Sequence, residues 1–83
     1  MNCREKIKEI VSEIVGVEAS EIDPQASFMD DMGLDSLRAL EILAAIENQF
    51  DITIEPERLR DMTTLENVIK LTEEHLRDKN DFA

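Results

Sequence analysis

The sequence has no tryptophan or tyrosine, one cysteine, one histidine and two glycines, and it sets 9 lysines and arginines against 20 acids. Each shortage removes a class of function. With only three Phe there are no aromatic platforms on which bases or sugars could stack, and a formal net charge of −11 repels nucleic-acid phosphates and anionic membranes. Cys3 has no second cysteine to bond with, and nothing around it marks a reactive thiol; it is expected as an apolar or frayed residue opening the first helix. Gly16 and Gly33 lie too far apart to form a phosphate-cradling loop. No apolar run is long enough for a signal peptide or a membrane span, which makes a cytoplasmic location the expectation.

What is present is enough to fold. Of the 83 residues 42% are hydrophobic, sufficient for one small domain over residues 1–83 with a modest core, but not for a deep enclosed active site. Partners are expected to be proteins with basic patches, met at rates that fall as salt screens the field over about 10 Å.

The apolar pattern has the period of helices. Ile7, Ile10, Val11, Ile14 and Val15 recur at the spacing of one helix face, and Gly16 supplies a stop, so a first helix spans residues 3 to 15. Residues 17–35 show no sustained period and read as a long loop, which in a small domain needs a reason. From Ser36 to Phe50, Leu, Ile and Ala are almost continuous and predict a second helix. Pro56, with Glu57 in the first turn, starts a short helix to about Asp61. Thr63-Thr64-Leu65-Glu66 predicts a capping box, followed by a last helix with Leu65, Val68, Ile69, Thr72 and Leu76 inward and a frayed tail after Arg77. Ile52-Thr53-Ile54 alternates but has no partner strand, and is expected as a buried connector. The fold class is all-α: three main helices plus one short helix, in a four-helix bundle with a long loop between helices one and two.

The second helix carries two apolar stripes. At about 100° per residue, Ala39, Ile42, Leu43, Ile46 and Phe50 form one stripe, while Leu37, Leu40 and Ala44 form another more than about 90° away. The first is core. The second is either covered by the loop or exposed as a docking surface flanked by Glu41 and Glu47; periodicity fits both.

Before this helix stands Phe28-Met29-Asp30-Asp31-Met32-Gly33-Leu34-Asp35-Ser36-Leu37. A serine or aspartate there is ordinarily a cap. Asp35 can serve alone, however, leaving the Ser36 hydroxyl free to point outward. Ser36 is no self-sufficient nucleophile, because a base is required and the lone His75 lies on a polar stretch near the end of the last helix, where it is expected to be solvated. Asp30, Asp31 and Asp35 do not follow an EF-hand: Met32 and Leu34 stand where the third and fifth ligands belong. No metal ligand set is expected beyond weak, nonspecific attraction of divalent ions to the acids. What remains is a serine that receives a group from another enzyme, at a helix N-terminus that favours an anion.

Gly33-Leu34-Asp35-Ser36-Leu37, with Phe28 ahead of the serine, resembles the attachment site of acyl carrier proteins. The resemblance extends through Ile22-Asp23-Pro24, Glu41, Glu47-Asn48-Gln49-Phe50 and Thr63-Thr64. It implies a protein that is not an enzyme. Ser36 would be modified by a phosphopantetheinyl transferase, which moves 4′-phosphopantetheine from coenzyme A to the hydroxyl, and acyl groups would ride on the arm as thioesters. Delivery would be to acyl-loading, condensing and other acyl-processing enzymes of fatty-acid, polyketide or related lipid biosynthesis, by a monomer whose core can open between its helices to shelter the chain. By the same resemblance Asp35, Leu37, Leu40, Glu41, Ala44 and Glu47 form the partner-docking surface. Arg38 stands where many fatty-acid carriers have an acid, Asn48 replaces a frequent glutamate, and Ala44 is smaller than the usual Met or Val, which suggests a carrier dedicated to one pathway. The alternatives are a peptidyl, aryl or D-alanyl carrier, or an unmodified acidic helical adaptor.

Overall fold

A computed structural model describes residues 3–81, with side chains described through residue 77. Three α-helices carry the fold: α1 (Cys3–Val15), α2 (Ser36–Phe50) and α3 (Leu65–Asp81). Two short 3₁₀ segments, Ala19–Glu21 and Pro56–Asp61, lie in the connections. Residues 3–81 contain no strand, only an isolated antiparallel bridge between Ser27 and Thr64. No helix among them is long and apolar enough to cross a membrane.

The core forms where the predicted faces meet. Ile7 and Val11 of α1 pack with Ile42, Leu43 and Ile46 of α2 and with Leu65, Val68, Ile69 and Leu71 of α3. Ile10, Ile14, Val15 and Phe50 are half-buried against this cluster. Leu71, absent from the expected inner face of α3, is buried, whereas Leu76 is only half-buried. Thr72 is fully buried, and its hydroxyl donates to the Val68 carbonyl at 2.8 Å. The backbone of α3 stays helical past Arg77 to Asp81, where the sequence suggests a frayed tail.

Local chemistry sets the ends of the helices. Gly16, at φ 76°, closes α1 in the left-handed region that glycine occupies without strain, while the Ser12 hydroxyl donates to the Val17 carbonyl at 2.6 Å. The expected capping box on α3 is displaced by one residue. Thr64, not Thr63, accepts from the Asn67 N–H at 3.1 Å, and Thr63 Oγ1 accepts from the Asn67 amide group. Glu66 does not return to the cap because Arg4 of α1 holds it in a two-pronged pair at 2.8 and 3.2 Å.

The long loop is tied down at several points. The side chain of Phe28 is buried in the core, its N–H donates to the Thr63 carbonyl at 2.8 Å, and its carbonyl accepts from Leu34 N–H at 2.8 Å. The Glu66 N–H, one of the unpaired donors of the first turn of α3, is satisfied by the Pro24 carbonyl. Ile54 is buried and Ile52 half-buried, as a connector requires.

Candidate functional site

Ser36 is the first residue of α2 and is exposed. Asp35 precedes it in extended conformation, and its Oδ1 accepts from the Arg38 N–H at 3.0 Å. This is a complete N-cap bond, so the serine hydroxyl is not needed to start the helix. Gly33, at φ 68°, makes the turn that brings the chain from the Phe28 anchor to the cap.

Two of the three clustered acids, Asp31 and Asp35, have structural work for their carboxylates, and Asp30 is tied through its backbone. The Asp31 carboxylate accepts from the Ser27 N–H at 2.8 Å, the Asp35 carboxylate caps α2, and the Ser27 hydroxyl accepts from the Asp30 N–H. Among the described residues no group of three or more metal-ligating side chains converges.

Beside Ser36 lies an open cavity of about 500 Å³, walled by the loop, the start of α2 and the second 3₁₀ segment. Phe28, Leu34, Ala39, Leu59 and Met62 give it apolar walls. Sequence periodicity could not find it, because its walls come from three separate stretches of chain.

The second stripe of α2 is open to solvent. Leu37 is 64% and Leu40 45% exposed, and Ala44, Asp35 and Glu41 are exposed beside them, so the loop does not cover this face. Met29, 58% exposed, adds an apolar side chain on the loop that carried no helical signal in the sequence. The acids are not equally free. Glu41 pairs with Arg38 at 3.3 Å, and half-buried Glu47 accepts from the Ile54 N–H at 2.8 Å, fixing the connector after α2.

The remaining sequence candidates lie elsewhere. His75 is half-buried rather than solvated, with Nδ1 2.9 Å from the Leu71 carbonyl, one turn back on its own helix. Cys3 is half-buried against the core, and burial together with the Glu73 charge pushes its thiol pKa up, away from the reactive thiolate.

Residues 5–72 match the family model described as a phosphopantetheine attachment site. The chain belongs to that family. Its members carry the phosphopantetheine prosthetic group, and this protein is accordingly a carrier and not an enzyme. Solved structures agree on the fold. A Mycobacterium tuberculosis protein assigned as an acyl carrier protein superposes with a TM-score of 0.79 at 23% identity, over 88% of this chain and 97% of that one. The apo doublet acyl carrier protein from prodigiosin biosynthesis gives 0.75 at 19% identity, over 87% of this chain and 35% of the doublet. A chain from the ishigamide ketosynthase/chain length factor structure gives 0.73 at 28% identity, over 89% of this chain and 93% of its own length. The expected all-α carrier bundle is thus the fold observed.

Proposed function

We propose that Ser36 is the attachment residue and that the protein carries acyl groups as thioesters on a 4′-phosphopantetheine arm. In the transfer, Ser36 Oγ bonds to the pantetheine-bearing phosphorus of coenzyme A and adenosine 3′,5′-bisphosphate leaves, with the serine proton passing to the transferase. One observation carries the reading: an exposed serine at the first turn of α2, released from capping by Asp35, beside an apolar cavity. A phosphodiester there meets the positive end of the helix dipole.

The exposed face of α2 supports docking by Leu37, Leu40 and Ala44, with Asp35 and Glu41 orienting a basic partner. Glu47 belongs at its margin, since one of its oxygens already serves Ile54. The partners are the phosphopantetheinyl transferase and the acyl-processing enzymes of fatty-acid, polyketide or related lipid biosynthesis. Arg38 beside Glu41 lowers the negative charge of this face and favours a carrier dedicated to one pathway. We read residues 1–83 as one carrier domain that acts as a cytoplasmic monomer.

The test is intact mass after incubation with coenzyme A, magnesium and a broad-specificity phosphopantetheinyl transferase. The wild type is expected to gain one phosphopantetheine and Ser36→Ala none. A wild type that stays unchanged, or a Ser36→Ala protein that still gains mass, would overturn the assignment.

A further inference from the structure

The cavity beside Ser36 contains one cationic side chain among the described residues that line it, Arg60. Three other arginines are engaged. Arg4 is held by Glu66, Arg38 by Glu41, and Arg58 by both Asp61 and Glu74, at 2.8 and 3.3 Å. Arg60 has no ion partner among the described residues, in a chain with 20 acids and 9 lysines and arginines. Its planar fork of five N–H donors is therefore available to a carboxylate, which it can meet with two parallel hydrogen bonds.

The position of Arg60 makes this availability specific. Arg60 and Thr63 also line a second, polar depression, so together they form the wall between it and the cavity beside Ser36. A group tethered at Ser36 and folded into that cavity meets Phe28, Leu34, Ala39, Leu59 and Met62 along its length, and the exposed Arg60 at the shared wall. Asp30, Asp35 and Glu57 line the same cavity and repel any anion that lacks a matching cation. A neutral chain needs no arginine there, whereas a chain ending in a carboxylate is admitted only through one.

From this we infer that Arg60 is a specificity-determining residue that selects acyl groups bearing a terminal carboxylate, namely short dicarboxylic half-thioesters. The inference rests on Ser36 being the attachment residue. The arm's phosphodiester is the other available anion. It is present in every loaded state, however, and lies one bond from Ser36 Oγ at the start of α2, where backbone N–H groups are on hand.

The experiment charges the protein through the transferase from coenzyme A, pentanoyl-coenzyme A and glutaryl-coenzyme A. The last two loads differ by a methyl against a carboxylate at the chain end. Each product is confirmed by intact mass, then followed by melting temperature and by the Arg60 Nε–H resonance in 15N-labelled protein. The glutaryl form is expected to melt about 1–5 °C above the pentanoyl form, the span of one partly exposed ion pair in a domain of this size. It should also move the Arg60 resonance. In Arg60→Gln the order should reverse, because the extra negative charge then meets only repulsion, and Arg60→Lys should keep the original order. Each variant's own pentanoyl form is its reference, so a general loss of stability cancels. Equal melting of the two wild-type forms, or an Arg60 resonance already shifted to the same extent by the bare arm, overturns the inference and leaves the attachment site standing. Absence of any mass gain overturns both.

Discussion

Asp35 and Ser36 are adjacent, and either could cap a helix. Asp35 takes the cap through its bond to the Arg38 N–H, leaving Ser36 exposed. Removing the cap without touching the serine should therefore show what the cap contributes to folding. Asp35→Ala is expected to cost about 1 kcal/mol, or about 4–8 °C in melting temperature, while Asp35→Asn keeps most of it; thermal circular dichroism measures both. Arg4 and Glu66 offer a second test at this scale. Hydrogen bonding to the Arg4 guanidinium, reinforced by its charge, lowers the Glu66 pKa below its ordinary value. The unfolded chain then takes up this proton at a higher pH than the folded one. The contribution to stability is complete above the unfolded pKa and is lost as pH falls through the lowered folded pKa. Unfolding midpoints of wild type and Glu66→Gln should therefore converge as pH drops below about 5. A gap independent of pH would mean that the pair does not act through ionisation.

Among the elements, the loop between α1 and α2 depends on Phe28, which joins the core while its backbone ties the loop to Thr63 and Leu34. Phe28→Ala should cost about 3–5 kcal/mol, a large part of the roughly 5–15 kcal/mol available to a small domain. A urea titration should show a strongly lowered midpoint, or a chain already unfolded in buffer. What is legible in the sequence follows the same division between local and distant causes. The spans of α1 and α2, the start at Pro56 and the Asp35 cap depend on neighbours in sequence, and pattern is enough to place them. The capping box is displaced because Arg4, distant in sequence, takes the glutamate that the local motif requires. The left-handed Asp51 that ends α2 fills a position where glycine would be the usual signal. Leu37 and Leu40 follow from helical spacing, whereas Met29 and the cavity containing Arg60 lie on loop and 3₁₀ segments that have no such period.

For the molecule as a whole, charge is the main influence on stability that packing does not settle. The acids outnumber the lysines and arginines 20 to 9, and Arg4, Arg38 and Arg58 are already committed to close partners. Most carboxylates therefore repel one another within a body whose radius of gyration is 12.1 Å. At about 0.01 M salt the screening length is roughly 30 Å and every charge acts on every other; at about 1 M it is roughly 3 Å and only touching pairs remain. Unfolding moves the charges apart, so repulsion relieved on unfolding is a penalty on the folded state that salt removes. The same salt weakens the exposed pairs of Lys6 with Glu9 and Arg38 with Glu41, but each such pair is worth only about 0–1 kcal/mol. Repulsion should win, and the melting temperature should rise from low to moderate sodium chloride. Magnesium chloride at matched ionic strength should raise it further if divalent ions gather at the acids. Association with the transferase should respond in the opposite sense, slowing as salt screens its attraction to a basic surface. A carrier of this charge is thus expected to gain stability and lose association rate over the same salt range, whereas a flat melting curve would mean that its carboxylates are already compensated within the fold.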